Sequence, residues 1–338
     1  MNSKRIFTRY LLFLCGALLA SGFYLSARFN AAYPAALGPR FKPEIKKEHI
    51  KGIEENQPEL VLIGDSVLYE GVDPILLSEQ LGEKSYAITV PGSGTASWYL
   101  VMKNIILQAD HRPKYIVILF RNTMLTVPQY RTTGRYFELL GDFASKNEPL
   151  VAELAFINQM SPLERILEQY IPLYTMRLRI RDKLYNLLRY TPAVVLAGCN
   201  RECTDEAMGS VFGSNVDPLA LNQMMEDASR VLYAPEEMDF DRQVDRSFLP
   251  YMIQLAQKNI VTLVFVRTKI LGTEPLALVD YSQALDAYLW EQDHVFLVNF
   301  SDDPRITEEF HVDGLHMNNH GRREFTRMLA DELRSIIR

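Results

Sequence analysis

Five short aliphatic runs, alternating with helical patterns, constrain the fold of this chain more than any other feature of its sequence. The runs predict strands at Leu60–Ile63, Tyr86–Val90, Tyr115–Phe120, Ile260–Val266 and Val295–Phe300. The intervals predict helices at Pro74–Leu81, Ala96–Ala109, Asp241–Lys258, Pro275–Gln292 and Asn319–Ile337. This alternation is typical of a parallel sheet with helices on both faces. We therefore predict an α/β fold of the flavodoxin-like type, a three-layer α/β/α sandwich around a five-stranded parallel sheet.

The interval between the third and fourth predicted strands is much longer than a crossover connection requires. Its helical patterns are interrupted by prolines, namely Pro128, Pro149, Pro162, Pro172 and Pro192. A segment of this length inside a compact domain is expected to carry structure of its own. We predict a mostly helical insertion at about residues 127–240.

One stretch of this insertion, residues 167–190, mixes apolar residues with five basic ones, Arg177, Arg179, Arg181, Lys183 and Arg189. Such a segment can lie on a membrane surface, with the arginines toward the lipid headgroups and the apolar residues below them. A basic amphipathic helix more often covers a protein core and solvates its charged face. Both interpretations stay open at this point.

The N-terminal residues have the features of a membrane segment. Tyr10–Ala27 is apolar and uncharged, and its length is close to the roughly 20 residues that a spanning helix needs. Lys4, Arg5 and Arg9 precede it, which places the N-terminus in the cytoplasm and the following chain outside it. A cleaved signal peptide is the alternative, because small residues follow the apolar run. No convincing cleavage pattern is present, so we predict an uncleaved anchor over residues 1–28.

Residues 29–58 contain scattered proline and lysine and little apolar periodicity. They predict a stalk, partly helical from Pro43 to Glu55, that leads from the membrane to the domain. The predicted organisation is therefore an anchor at 1–28, a stalk at 29–58 and a domain at 59–338. Both interpretations of the N-terminus place this domain outside the cytoplasm. The preferred one, an uncleaved anchor, predicts a single-pass protein of the cell (inner) membrane whose domain lies on the periplasmic or cell-surface side.

Cys199 and Cys203 lie close together in the sequence GCNRECTDE. In an oxidising compartment, a pair at this spacing can form a small-loop disulfide. A metal or redox site would require further ligands or a CxxC spacing, and this stretch has neither. A structural disulfide is the preferred interpretation.

Composition and charge exclude one class of function. The chain has 338 residues, of which 48% are hydrophobic and 23% charged, as in a globular protein. Its formal net charge is -6. A dedicated nucleic-acid binder needs a basic field to attract phosphates, so we predict no nucleic-acid partner.

Two polar motifs lie where an α/β sheet exposes side chains to a ligand. Gly64, Asp65 and Ser66 follow the first predicted strand, at a place where such folds bind ligands. Asp313 and His316, separated by two residues, stand before the last predicted helix. A histidine base needs a carboxylate to fix its tautomer and to stabilise the imidazolium that forms during reaction. An aspartate three positions before the histidine can fold back to supply it.

The sequence IGDS after the first strand and DGLH before the last helix together resemble the SGNH, or GDSL-type, hydrolase family. The resemblance covers roughly residues 58–126 and 240–338 and leaves the insertion uncovered. It implies that Ser66 is the nucleophile, that His316 is the general base and that Asp313 orients the histidine. It also implies that the backbone N–H of Ser66 belongs to the oxyanion hole.

Two further blocks of the family are matched to different degrees. The oxyanion glycine after the second strand matches Gly92, with Gly94 as the nearby alternative. The third block of the family is GxND. Here Asn122 matches the asparagine, whereas Phe120 replaces the glycine and Thr123 replaces the aspartate. The side-chain amide of Asn122 is the predicted third oxyanion donor.

Each of these residues also has a structural explanation. Glycines serve turns, and the Asp-Ser pair can end a strand and cap a helix. Their joint order along the sheet favours the functional interpretation. His311 and His320 are interpreted as surface residues, because their spacing around His316 is weak support for a metal site. We predict no metal and no cofactor.

The anchor, the stalk and the insertion make the chain similar to membrane-anchored SGNH proteins that accompany membrane-bound O-acyltransferases. These include relatives of the D-alanyl-lipoteichoic-acid biosynthesis and alginate-acetylation proteins. The resemblance implies a serine esterase or O-acyltransferase that acts on acyl esters, acetyl foremost, of a cell-surface polysaccharide. It also implies a membrane-bound O-acyltransferase as a candidate partner. A non-catalytic binding or scaffold partner of such an acyltransferase is the alternative.

Overall fold

The computed structural model describes residues 3–29, 33–41, 45–177, 230–271 and 275–337. It also describes ten isolated positions between these ranges, namely 180, 181, 183, 184, 187, 191, 198, 200, 203 and 228. The chain divides into two compact units. The first comprises Met1–Pro39 and Ile157–Met225, and the second comprises Arg40–Phe156 and Glu226–Arg338.

The second unit is built on a five-stranded sheet in which all strand pairs are parallel. Its strands are β1 (Leu60–Gly64), β2 (Ser85–Thr89), β3 (Tyr115–Phe120), β4 (Thr262–Arg267) and β5 (Val295–Asn299). Their order across the sheet is β2-β1-β3-β4-β5. This order confirms the predicted flavodoxin-like sheet. In such an order the topological switch lies beside β1 and β3, where ligands bind at the carboxyl ends of the strands.

Helices cover both faces of this sheet. Those of the second unit are α2 (Lys47–Asn56), α3 (Ser66–Gly71), α4 (Pro74–Leu81), α5 (Thr95–Asn104), α6 (Arg135–Gly141), α7 (Pro149–Ala155), α10 (Phe240–Gln243), α11 (Leu249–Lys258), α12 (Leu276–Trp290) and α13 (Asn319–Leu333). Along β1, Val61 and Ile63 pack in the apolar cluster on one face, and Leu60 and Leu62 pack in the cluster on the other. Since successive side chains of a strand point to opposite faces, both faces are buried. The three-layer arrangement is therefore confirmed.

One predicted helix is broken into pieces. The sequence predicts a helix over Asp241–Lys258, whereas the structure has α10, a 3-10 helix at Val244–Arg246, and then α11. Ser247 is extended between them, and its hydroxyl accepts a hydrogen bond from the N–H of Leu249. Pro250 lies in the first turn of α11, where its missing N–H costs nothing. A proline is tolerated in the first turn of a new helix, but it would disrupt the interior of a helix that continued from α10.

The C-terminal helix α13 fixes the segment that joins α3 to α4. Thr326 of α13 accepts a hydrogen bond from the N–H of Asp73 at 2.9 Å. Arg322 donates to the carbonyl oxygen of Val72 at 3.0 and 3.1 Å. Gly71 faces Phe325, because a Cβ added to Gly71 would lie 3.8 Å from its ring. The helix that follows the DGLH motif therefore supports the helix that begins at Ser66.

Glu148 ties α5, the helix after the Gly92–Gly94 turn, to the loop before α7. Its carboxylate is 1% exposed and accepts hydrogen bonds from Lys103 Nζ at 2.5 Å, Asn104 Nδ2 at 2.8 Å and Ser145 N at 2.8 Å. Burial raises the pKa of Glu148, but these hydrogen bonds outweigh burial and hold the pKa below its ordinary value. The folded protein therefore stabilises the charged carboxylate.

Replacing Glu148 by Gln is expected to lower the free energy of unfolding at pH 7 by about 2 kcal/mol, because the Lys103 ammonium loses its charged partner. A lowered folded-state pKa gives stability that is present above the unfolded pKa and lost as the pH falls through the folded pKa. The difference between the two proteins should therefore shrink in acid. Urea unfolding at pH 7 and pH 3 measures this, with the exposed Glu55→Gln as control. A difference that does not change with pH would contradict the assignment.

The first unit contains three described helices, α1 (Ser3–Phe29), α8 (Pro162–Tyr170) and α9 (Pro172–Thr175). Within α1, the 24 residues Arg5–Arg28 are long and apolar enough to cross a membrane by length and composition. Gly22 and Leu25 of α1 are buried. A Cβ added to Gly22 would lie 3.5 Å from Pro172 of α9. The N-terminal helix thus packs against a short helix from the predicted insertion.

The described part of that insertion contains α6 to α9 and no strand. Much of the predicted basic segment, including Arg179 and Arg189, lies outside the described residues. Cys199 also lies outside them, so its pairing stays a prediction, whereas Cys203 is disulfide-bonded.

Candidate active site

Ser66 lies where β1 gives way to α3, at the carboxyl edge of the sheet. Asp65 caps α3, because its side chain accepts a hydrogen bond from the N–H of Val67 at 2.9 Å. Ser66 is the first residue of this helix. The turn is tight, since a Cβ added to Gly64 would lie 2.7 Å from Cβ of Leu68. The small residues of the IGDS motif thus allow the chain to reverse within two residues and present the serine at the edge.

Asp313 and His316 belong to a compact loop before α13. The N–H of Val312 donates to the carbonyl of His316 at 2.8 Å. Asp313 Oδ1 accepts hydrogen bonds from the N–H groups of Leu315 at 2.7 Å and His316 at 2.6 Å. Asp313 Oδ2 lies 2.8 Å from Nδ1 of His316. The backbone therefore fixes the carboxylate, and the carboxylate fixes the imidazole.

The structure brings the three predicted residues together. His316 Nε2 lies 2.9 Å from Ser66 Oγ, so a hydrogen-bonded chain runs from serine through histidine to aspartate. A carboxylate at Nδ1 favours the tautomer with its proton on Nδ1, which leaves the Nε2 lone pair free to accept from the serine hydroxyl. This is the geometry that a general base requires.

The Asp313 carboxylate is held in its charged form. Burial raises its pKa, but the hydrogen bonds from the His316 side chain and from the backbone of His316 and Leu315 outweigh burial and lower the pKa below its ordinary value. The Asp313 side chain is 25% exposed and that of His316 is 20% exposed. Asp313 is therefore ionised at neutral pH and can stabilise an imidazolium formed on His316.

The three predicted oxyanion positions follow three neighbouring strands. Ser66 follows β1, Gly92 follows β2 and Asn122 follows β3, and these strands are adjacent in the order β2-β1-β3. Gly92 has φ +75° and Asn122 has φ +49°. Both lie in the left-handed region, which turns the backbone sharply after each strand. Asn122 is 3% exposed, and its Oδ1 is buried without a hydrogen bond.

Gly94, the alternative to Gly92, has a different position. It caps α5 with an extended backbone, and a Cβ added there would lie 2.8 Å from the carbonyl oxygen of Tyr130. Close approach of another backbone segment therefore explains this glycine. Gly92 is the one with positive φ, and a Cβ added to it would lie 2.8 Å from Cε1 of Tyr136.

The two departures from the GxND pattern have structural partners. Phe120 belongs to an apolar core and makes an edge contact with Phe265, with ring centres 6.3 Å apart. Thr123 is buried, and its hydroxyl donates to the carbonyl of Leu232 at 2.5 Å. At these positions, packing and a backbone contact take the place of the family's glycine and aspartate.

His311 and His320 are engaged elsewhere. His311 Nδ1 lies 3.0 Å from the carbonyl oxygen of Thr307, and the His320 ring makes an edge contact with Phe310. Among the residues that the structure describes, no group of three or more His, Cys, Asp or Glu side chains is arranged to hold a metal ion.

Sequence reasoning missed a cluster of two arginines and two tyrosines beside the glycine turn, Arg121, Tyr130, Arg131 and Tyr136. These residues come from the segment after β3. Only Arg121, adjacent to Asn122, has a position that the sequence could have indicated. The other three reach the turn through contacts between segments that are distant in sequence, and no local pattern encodes such contacts.

Comparisons with known proteins do not establish a family for this chain. No protein-family model matches it, and no curated protein matches it. Among solved structures, it is similar to a protein assigned to the lipolytic G-D-S-L family from Desulfitobacterium hafniense DCB-2. The identity is 10%, the match covers 80% of this chain and 97% of that chain, and the TM-score is 0.37. A similarity this low decides nothing about activity.

Proposed function

We propose that this protein is an SGNH-type serine hydrolase or acyltransferase that acts on esters. The observation that carries the proposal is the hydrogen-bonded chain from Ser66 Oγ to His316 Nε2 and from His316 Nδ1 to Asp313 Oδ2. A serine hydroxyl is a weak nucleophile at neutral pH, and a hydrogen-bonded histidine activates it by taking its proton. All three residues lie at the carboxyl edge of a parallel sheet, where such folds place their sites.

The reaction proceeds in two acyl-transfer steps. Ser66 Oγ attacks the acyl carbon while its proton passes to His316 Nε2. The tetrahedral intermediate then collapses, and His316 returns the proton to the leaving alkoxide, which departs as an alcohol. Water or a sugar hydroxyl next attacks the acyl-serine, with His316 again taking and returning the proton. Asp313 keeps the imidazole oriented throughout.

The negative charge that develops on the acyl oxygen needs fixed donors. We assign this role to the backbone N–H groups of Ser66 and Gly92 and to the side-chain amide of Asn122. Each preorganised donor of this kind is worth about 3 kcal/mol of barrier. The sharp turns at Gly92 and Asn122 support the assignment, because they bring the chain back to the edge directly after each strand.

The proposal is tested by covalent labelling. A fluorophosphonate probe incubated with the purified full chain in detergent should modify one tryptic peptide, the one that contains Ser66. Incubation with 4-nitrophenyl acetate followed by an acid quench should give the same peptide with an acetyl group. Labelling of a different serine, or of none, would contradict the nucleophile assignment.

A non-catalytic scaffold is the second candidate, because Phe120 and Thr123 depart from the family pattern. It predicts no labelling at Ser66. The position of His316, within hydrogen-bond distance of Ser66, favours the catalytic proposal instead. A membrane-bound O-acyltransferase is proposed as partner under either candidate.

We further propose that α1 holds the protein at a membrane and that the substrate is an acylated surface polysaccharide. The described side chains of α1 from Arg5 to Ala20 are all exposed, and only the stretch around Gly22 and Leu25 is covered by protein. An apolar helix that leaves most of its length bare is suited to lipid. The first charge after the apolar run is Arg28, which places the outer interface near that residue.

The packing of α9 on α1 fits this orientation. Gly22 is six residues before Arg28, so the contact with Pro172 lies about 9 Å below the level of Arg28 in a straight helix. Interfacial helices lie at depths of about 5–10 Å. The adjoining α8 exposes Leu163, Ile166 and Tyr170 at helical spacing. These features favour the membrane-surface interpretation of the insertion.

Replacing Met1–Phe29 by a cleavable export signal is expected to leave hydrolysis of small soluble esters nearly intact. Modification of the native polymer in cells should fall strongly, because tethering raises the local concentration of enzyme at its substrate. Mass spectrometry of the extracted polysaccharide measures the second effect, with equal amounts of exported protein verified by immunoblot. Full complementation by the untethered protein would show that the helix serves only to direct export.

A further inference from the structure

Two arginines border the candidate active site. Arg121 follows β3 and is 8% exposed, and its Nη2 donates to the hydroxyl of Tyr130 at 3.2 Å. Its Nε is buried without a hydrogen bond. Arg131 lies against the same tyrosine, with its Cζ 5.3 Å from the ring centre. One tyrosine thus contacts two guanidinium groups.

Arg131 is held by its surroundings in an uncommon conformation. Its φ is +57°, a backbone angle that a long side chain seldom adopts. Its Cζ lies 4.5 Å above the ring centre of Tyr136, and its Nη1 donates to the hydroxyl of that tyrosine. Its Nε is buried and has no acceptor. Strained residues of this kind cluster at functional sites.

The arginine–tyrosine cluster, Arg121, Tyr130, Arg131 and Tyr136, touches the glycine turn of the candidate oxyanion hole. A Cβ added to Gly92 would lie 2.8 Å from Tyr136. One added to Gly94 would lie 3.0 Å from Cδ1 of Tyr130. Arg121 immediately precedes Asn122 in the chain. The cluster therefore lies at the same edge of the sheet as Ser66.

Electrostatics also link Arg131 to the nucleophile's turn. Burial lowers the pKa of the Arg131 guanidinium, but Tyr130, Tyr136 and the Asp65 carboxylate raise it. Asp65 immediately precedes Ser66 in the chain. Its carboxylate oxygen accepts from Val67 N, and it makes no ion pair with the guanidinium.

Neither guanidinium group of the cluster has a direct acidic partner among the described residues, although the Asp65 carboxylate acts on Arg131 without pairing with it. Within the described ranges of the chain, no Asp or Glu side chain forms an ion pair with Arg121 or Arg131. A buried cation without a counter-charge is costly, and a planar guanidinium presents paired donors that match a carboxylate. A directly paired carboxylate is therefore a partner that a ligand can bring.

We propose that the arginine–tyrosine cluster binds a carboxylate carried by the substrate, beside the ester that Ser66 attacks. This inference rests on the proposed ester chemistry and names the substrate class, an acyl ester that also bears an acid group. The carboxylate belongs either to the alcohol portion, as in an acetylated sugar acid, or to the acyl group. Arg131 is the principal specificity residue, and Tyr130 and Tyr136 hold its guanidinium in place.

The test compares matched neutral and anionic esters. The alcohol arm uses O-acetylated methyl glucuronoside against O-acetylated methyl glucoside, and the acyl arm uses mono(4-nitrophenyl) adipate against 4-nitrophenyl hexanoate. Wild-type protein should prefer the anionic member of one pair, and that pair identifies the source of the carboxylate. Arg131→Gln should lower the ratio of kcat/KM for anionic to neutral ester about 10-fold, mainly through KM, as expected for one lost charge-assisted hydrogen bond.

Two controls separate a specificity role from a structural one. Arg131→Lys should restore part of the ratio of kcat/KM for anionic to neutral ester. Arg327→Gln, at an exposed arginine of α13, should leave this ratio at the wild-type value. Equal kcat/KM for anionic and neutral esters in the wild-type protein, or a ratio unchanged by Arg131→Gln, would overturn the proposal.

A binding measurement distinguishes this inference from the catalytic proposal. If the wild-type protein hydrolyses none of the esters, the full-length Ser66→Ala variant is titrated calorimetrically with methyl glucuronoside and sodium adipate, each against its neutral counterpart. Tighter binding of an anionic compound, lost in the double variant with Arg131→Gln, supports the carboxylate subsite without catalysis. Equal or absent binding overturns it.

Discussion

Replacing Ser66 by Ala is expected to lower kcat/KM for 4-nitrophenyl acetate by at least about 10⁴-fold, since loss of a serine nucleophile removes the covalent route altogether. The fold should be unaffected, because within the described part of the chain the side chain of Ser66 forms a hydrogen bond to His316 alone. Initial rates followed at 400 nm measure the loss, and circular dichroism verifies the fold.

Ser335→Ala is the matched control for this variant, because Ser335 is an exposed serine whose hydroxyl donates to the carbonyl of Glu332. It should retain wild-type rates. If Ser66→Ala kept more than about one hundredth of the wild-type rate, which is far above the residual level expected without a nucleophile, the esterase activity would have to come from another group.

Replacing Asp313 by Asn is expected to reduce kcat/KM by about 10³–10⁴-fold through the histidine tautomer. The two backbone N–H groups at Asp313 Oδ1 select the amide oxygen for that side. The amide nitrogen then faces His316 Nδ1 and donates to it. The imidazole proton must move to Nε2, which is the atom next to Ser66, and the base loses the lone pair that accepts the serine proton.

The measurement for Asp313→Asn is the rate of fluorophosphonate labelling alongside ester hydrolysis, because both need an activated serine. Asp302→Asn, at an exposed aspartate in the segment after β5, is the control. Rates of labelling and hydrolysis within about 10-fold of wild type, a loss of less than roughly 1.4 kcal/mol, would show that Asp313 is not needed to orient the imidazole of His316.

The sheet and the hydrogen bonds that link Asp313, His316 and Ser66 were predictable because the sequence patterns behind them are local. Each strand is a compact aliphatic run, and the parallel order follows from its alternation with helices. The spacing of Asp313 and His316 lies within a single loop, so a hydrogen bond between them needs no knowledge of the rest of the chain. Ser66 was found from the end of its own strand.

Other features depend on contacts between distant segments, and no single-sequence pattern contains them. Tyr136 contacts Gly92 across 44 positions of the chain, and the segment between β3 and Tyr136 includes Arg131 in a left-handed conformation. The packing of Pro172 against Gly22 joins parts of the chain that are far apart in sequence. Pro250 indicates the break in the predicted Asp241–Lys258 helix. The apolar periodicity on both sides of it nevertheless favoured a single continuous helix.

The separation of the reacting groups along the chain has a consequence for biosynthesis. Ser66 and His316 are 250 positions apart, and the loop of Asp313 and His316 leads into α13, which fixes the segment after α3. At synthesis rates of 5–20 residues per second, the proposed nucleophile is made roughly 10–50 s before the proposed base. A growing chain thus carries a serine that His316 cannot yet activate. Under the proposed function, reactivity would begin only when the C-terminal helix docks, and the nascent protein would meet the acyl esters of membrane lipids as an inert chain.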